Sequence, residues 1–305
     1  MARKVIPETA GFNKTPYANF GKVENIGTDL SLEVNHNFNK DLFVSIRGNF
    51  TFARNTVTEY DEPESLKGTS RSQTGQSLNQ HFGLIALGLF TPDDFSDVDN
   101  YILRDDIPTQ FGIVKPGDIK YLDLNNDGVV NDLDKCPIGH PFVPEIVYGF
   151  GASIKYRNFD ISAFFQGTGL FTNSISGNNL LPGSGAGGLG NIFANVDDRW
   201  MPDDPYNQDV FWPRLSSYNN ENNTRLSSWW IKNSSFLRLK NAEIGYTLPK
   251  AWQRAVAMRN ARIFFRGTNL FTFSSFDLWD PEMGSTNGLK YPNQRIYSLG
   301  FEITF

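Results

Sequence analysis

The twelve residues Asp123-Leu124-Asn125-Asn126-Asp127-Gly128-Val129-Val130-Asn131-Asp132-Leu133-Asp134 put side-chain oxygens at loop positions 1, 3, 5, 9 and 12 and a glycine at position 6. Calcium is a hard cation that takes about six to eight oxygen ligands, so a chain offering them at alternate positions around a sharp turn suits it. The backbone carbonyl of Val129 would supply position 7. The candidate metal set is therefore Asp123, Asn125, Asp127, Val129, Asn131 and Asp134 around a structural Ca2+, with Asp134 shorter than the glutamate usual at the last position. The competing reading is an Asp/Asn-rich turn held by local hydrogen bonds. Asp118, just upstream, reads as an outer ligand or a solvated loop residue and stays outside the set.

No catalytic constellation accompanies this loop. His36, His81 and His140 lack metal-ligand spacing, and the acidic pairs Asp93-Asp94, Asp105-Asp106, Asp197-Asp198 and Asp203-Asp204 sit in polar stretches where adjacent carboxylates are usually solvated. The run from Gly183 to Gly190 lacks the Gly-Lys-Ser/Thr ending of a phosphate loop and reads as flexible. Cys136 is the only cysteine, which excludes an internal disulfide and a cysteine-based zinc site. We expect no enzyme.

The elements that carry the loop are strands. Tyr297, Leu299, Phe301, Ile303 and Phe305 share one face of the last segment, with Ser298, Gly300, Glu302 and Thr304 on the other. Such period-two alternation marks a strand whose two sides meet different media. Thr28 to Val34, Leu42 to Phe52, Ile146 to Tyr156 and Phe159 to Phe165 repeat it, joined in pairs by the short turns Asn37 to Asp41 and Arg157-Asn158. Phe236 to Leu248 and Ala261 to Phe271 add two more, the first changing parity between Leu239 and Ala242, where a bulge is expected. With Phe82 to Phe90 the total is about eight. The segments 61–80, 91–144 and 167–233 are long and polar. Short turns at one end and long loops at the other are the asymmetry of outer-membrane barrels.

Composition agrees. Twenty-six Phe and eleven Tyr against four Met, with 27 Gly, favour strands and tight turns. The longest apolar run, Phe82 to Phe90, is too short for a membrane helix of about 20 residues. A net charge of −5 without clustered Lys and Arg excludes general nucleic-acid binding. Met1 to Pro7 has no apolar signal core, so an export signal would lie upstream.

Several spaced motifs resemble the C-terminal part of SusC/RagA-type TonB-dependent outer-membrane transporters of Bacteroidetes: Gly21 to Gly27, Gly48 to Asn55, Gly117 to Asp123 running into the candidate loop, Asp198-Arg199-Trp200, Ser235 to Asn241, Gly245 to Pro249 and Gly267 to Thr272. They cover nearly the whole chain in the family's order. The resemblance implies an all-β fold, the C-terminal part of a 22-stranded antiparallel transmembrane β-barrel with long extracellular loops. Residues 1–305 would be that portion, without plug or early strands, and 123–134 a calcium-binding-like loop within it. It further implies TonB-dependent import of glycans or peptides in the outer membrane. Partners would be a SusD-like surface lipoprotein, the TonB complex, the remaining barrel and plug, membrane lipid and an oligosaccharide or peptide substrate. Trp200, Trp212, Trp229, Trp230 and Trp279 could stack on sugar faces or mark membrane interfaces. The alternatives are a secreted soluble β module, binding carbohydrate or adhering with calcium as a brace, and, third, a glycoside hydrolase.

Overall fold

The computed structural model describes residues 21–177, 192–218, 220–255 and 257–305, together with residues 2, 3, 17 and 18. The glycine-rich run from Gly183 to Gly190 lies outside the described residues.

Seven long strands form one antiparallel sheet: β1 (Lys22–Asn37), β2 (Leu42–Glu59), β3 (Ile146–Tyr156), β4 (Phe159–Gly169), β5 (Phe236–Thr247), β6 (Asn260–Ser274) and β7 (Ile296–Thr304). Each pairs with its neighbours in chain order, so the sheet is an open meander with β1 and β7 at its edges. Register is set by the alternation, because a slip of one residue would send every apolar side chain to the polar face. One cross-strand row reads His36, Val44, Ile154, Ile161, Ile244, Phe265 and Leu299, apolar on six of the seven strands. The adjacent row on the opposite face reads Asn35, Ser45, Ser153, Ser162, Glu243, Arg266 and Ser298, polar throughout. The apolar side lies bare: Ile244, Phe265 and Leu299 expose 51%, 48% and 65% of their surface. A contiguous apolar face of this breadth marks a surface that meets something other than water.

The turns at one end are tight and stitched sideways. Asn39 Oδ1 accepts the N–H groups of Asp41 and Leu42, closing β1 onto β2. Between β3 and β4, Arg157 adopts φ +53°, and its N–H donates to the Asp41 carbonyl at 2.8 Å. Asn158 Nδ2 donates to Thr247 O at 2.7 Å, tying this turn to the next. A six-residue helix, α1 (Lys250–Ala255), joins β5 to β6, with Gln253 Nε2 donating to Leu248 O. No described helix is long and apolar enough to cross a membrane.

The expected bulge is present. Lys240 is passed over in the pairing of β5 with both neighbours, which moves the outward set from Ile244 and Ala242 to Leu239 and Leu237. Arg238 thereby turns to the inner face, where it is 1% exposed and its guanidinium meets Asp280 at 2.6 Å and Glu282 at 3.2 Å.

Phe82 to Phe90 departs from expectation. It forms two short strands, His81–Gly83 and Ala86–Leu89, in the loop region, and among the described residues the wall has seven strands. The run is apolar because Leu84, Leu89 and Phe90 are buried among other loops. The loops at the far end pack on each other: Leu84, Ile119, Tyr121, Val130, Ile175, Trp200, Trp212, Trp230 and Phe276 form a common core. They build a dome on the sheet.

Candidate functional site

The calcium-like loop lies in this dome and is folded by its own carboxylates. Asp123 accepts the N–H groups of Asp127 at 3.3 Å and Gly128 at 2.7 Å, while Asp134 accepts those of Leu124, Asn125 and Asn131 at 2.9, 3.3 and 2.7 Å. First and last acid therefore converge on the loop interior, and both are buried. Asn126 and Gly128 take left-handed backbone, φ +58° and +85°. Side-chain space is not the reason for glycine at 128, since a Cβ there would meet nothing within 4 Å. The backbone turn is.

Asn125 Nδ2 donates to Asp127 Oδ2 and Asn131 Nδ2 donates to Val129 O, so four of the six named positions are knit together in pairs by side-chain amide hydrogen bonds. Asn131 also caps the short helical turn Asp132–Asp134 through Leu133 N–H. Thr109 pins the loop to the dome, donating to Gly128 O at 3.0 Å and accepting from Val130 N–H at 2.8 Å. Among the described residues no three His, Cys, Asp or Glu side chains are grouped to hold a metal. Asn amides and a carbonyl make up half of the candidate set. Each carboxylate has about four lone-pair positions, and Asp123 and Asp134 use two and three of them on backbone donors.

Beside the loop opens a cleft of about 620 Å³ whose lining includes Asp94, Arg104, Lys120, Asp123 and Asn126. Lys120 Nζ meets Asp94 at 2.6 Å. Burial raises the Asp94 carboxyl, but the Lys120 ammonium and the Thr91 donors outweigh it and hold the group below the usual carboxylate range.

Asp118 is neither solvated nor grouped with the loop. Fully buried, it accepts from Arg214, from Asn220 and Asn223 Nδ2 at 2.9 Å each and from Lys115 N–H at 2.8 Å. The tryptophans hold the dome rather than offering flat sugar platforms. Trp200, Trp212 and Trp230 are buried, and Trp229 and Trp279 pack against them. Cys136 is buried too, and burial pushes its thiol up, away from nucleophilic use. The acidic pairs disperse: Asp93 accepts from the Tyr206 hydroxyl, Asp106 meets Arg104 and Asp197 meets Arg199. His81 Nε2 lies 3.2 Å from the Thr172 carbonyl, and His36 meets Phe38 edge to face.

The inner face of the wall carries a charge ladder that spacing alone did not disclose. Arg262 on β6 reaches Asp160 on β4 through Nε at 3.1 Å and Glu243 on β5 at 2.6 Å; Arg266 meets Glu243 at 2.5 Å. Apart from this ladder, Arg54, on the outward parity of Phe52 and lying over its ring, forms a two-fold pair with Glu145 at 2.8 and 2.6 Å. The sign alternation across paired strands was readable only once register was known.

Comparison with protein-family models gives no match. Curated relatives match 98% of the chain: TonB-dependent receptor P26 of Formosa agariphila at 30% identity, with 31% of that protein covered, and TonB-dependent receptor SusC of Bacteroides thetaiotaomicron at 20% identity, with 28% covered. Among solved structures the RagAB peptide transporter superposes with a TM-score of 0.69 at 21% identity, over 99% of this chain and 32% of that one. The last comparison shows a shared fold, the antiparallel wall and its loops. Over 98% of its length the chain is similar to curated TonB-dependent receptors, SusC among them, and it spans about a third of the length of these relatives.

Proposed function

We propose that this chain supplies barrel wall and extracellular loops to an outer-membrane, TonB-dependent importer. The observation that carries the reading is the pair of neighbouring rows on opposite faces: apolar through Val44, Ile154, Ile161, Ile244, Phe265 and Leu299, and polar through Ser45, Ser153, Ser162, Glu243, Arg266 and Ser298. One face suits hydrocarbon and the other an aqueous lumen, the division that only closed barrels sustain in a bilayer. The open edges at β1 and β7 require further strands, because an unpaired backbone group in lipid costs several kcal/mol. The rest of the barrel and a plug would come from the two thirds of the family's length that lie outside this chain.

A surface lipoprotein of the SusD type would close over the dome, and the cargo would be an oligosaccharide or a peptide; the name of the RagAB neighbour supports the peptide reading for that protein. We further propose that Asp123, Asn125, Asp127, Asn131, Asp134 and the Val129 carbonyl hold a structural Ca2+ that braces the dome. The convergence of both terminal acids on the loop interior supports this, and the chemistry supplied would be charge neutralisation and stiffness, with no reacting group beside it.

The test is uptake by cells carrying the complete receptor that contains this chain. Fluorescent oligosaccharides and peptides should enter in a TonB-dependent manner, and the chain should fractionate with outer membranes. Recovery as a soluble protein without detergent would favour a secreted binding module instead.

A further inference from the structure

The outward face ends, at the short-turn side, in a row that runs Leu42, Tyr156, Phe159, Tyr246, Ile263 and Phe301 across six strands in direct register. Phe159 and Tyr246 lie with ring centroids 4.7 Å apart. Ten residues up β3, Ile146 opposes Phe52, and ten steps of about 3.3 Å on a strand tilted about 40° make a band roughly 25 Å tall. The turns beyond the aromatic row therefore project into the headgroup layer.

Those turns are basic. Residues 38–41, 157–158 and 248–259 contain Lys40, Arg157, Lys250, Arg254 and Arg259 against the single acid Asp41. The opposite end is acidic: residues 91–144 alone hold eleven Asp and four Lys or Arg. The Arg157 guanidinium lies over the ring of outward-facing Tyr156, 5.3 Å from its centroid, which places this charge on the lipid side of the wall. Trp252, 64% exposed on α1, stands between the exposed Lys250 and Arg254. Arg259 is anchored at the end of β7, its N–H donating to Thr304 O at 2.7 Å. Among the described residues only Arg157 of these five cations has a carboxylate partner, Asp41 at 3.3 Å. Indole beside unpaired cations, at the boundary of an apolar band, is a chemistry that fits phosphate-bearing amphiphiles.

We propose that the short-turn rim, built from Lys40, Arg157, Lys250, Trp252, Arg254 and Arg259, binds anionic phospholipid headgroups of the leaflet it faces. The proposal rests on the membrane-wall reading above and adds a lipid preference to it. Charge complementarity selects an anionic headgroup over a zwitterionic one, and continuity with the apolar row selects a lipid over free phosphate.

The membrane-assembled receptor containing this chain, extracted in mild detergent and exchanged into phosphatidylcholine vesicles with and without phosphatidylglycerol, provides the test, with retained lipid counted by native mass spectrometry. Phosphatidylglycerol should be enriched around the protein, and the combined variant Lys40→Gln, Arg157→Gln, Lys250→Gln, Arg254→Gln should lose enrichment, by up to roughly fivefold per charge. Lys67→Gln with Lys290→Gln, at the loop end, should not. Raising salt on the unaltered protein should lower retention, a measurement independent of how the variant folds. Normal assembly with no preference for phosphatidylglycerol, or full enrichment in the combined variant, would overturn this proposal alone. Failure of the unaltered protein to enter membranes would overturn it together with the importer reading.

Discussion

Both forks of the Arg214 guanidinium meet the Asp118 carboxylate, at 3.0 and 3.1 Å, across 96 residues of chain. Burial alone would pull the Arg214 pKa down; the Asp118 carboxylate outweighs it and holds the group above the usual arginine value. Replacing Asp118 by Asn leaves that cation buried and unpaired, at a cost of about 3–5 kcal/mol. Limited proteolysis should then cut within residues 91–144 and 170–233 while β3 and β4 stay protected. An unchanged cleavage pattern would show that the pair does not clamp the dome.

Phe150 projects from the outward face, 46% exposed and stacked on Phe165 with centroids 5.2 Å apart. An arginine there would sit near mid-bilayer at a cost of about 2–4 kcal/mol. Phe150→Arg should reduce the fraction that reaches a heat-modifiable, membrane-assembled form, whereas Ser153→Arg, on the inner face, should not. Equal assembly of the two would count against lipid on the outer side.

Calorimetric titration of calcium should show one site on the intact protein and none after Asp123→Ala with Asp134→Ala. Chelation should lower the unfolding temperature of the dome without releasing the protein from the membrane. Identical titrations for both proteins would leave the loop as a self-bonded turn.

Burial holds the His81 imidazole below its ordinary pKa of 6.5, while the Thr172 carbonyl pulls the other way. The folded state then binds fewer protons than the unfolded chain, so this residue's contribution is complete above pH 6.5 and is lost as pH falls below it. His81→Gln, which keeps a donor for Thr172 O, should flatten the fall in dome stability below that pH in thermal melts. A slope unchanged from that of the parent protein would assign the acid sensitivity elsewhere.

The wall was legible because each of its residues meets a single medium: the alternation of Ile146 to Tyr156, the two-residue turn at Arg157-Asn158 and the parity change near Lys240 all stand in the structure. The dome was not, because its contacts are remote. Asp118 reads as one more loop acid until Asn220 and Asn223 arrive from more than 100 residues downstream. Phe82 to Phe90 looks like a wall strand because a run buried on all sides and a spanning strand are equally apolar. Trp212 resembles a ligand platform in sequence, yet its exposure is zero and Phe193 stacks on it at 5.6 Å. Of the candidate metal loop, the order of donors was visible beforehand, and so was the glycine; the fastening to Thr109 was not.

The skipped rung at Lys240 separates two properties that a regular ladder would lock together. Below it the even positions of β5 look outward, above it the odd ones do, and each half satisfies its own solvent. A spanning segment built this way can gain or lose one residue without turning inside out, so the height of the wall and the decoration of its interior can vary independently.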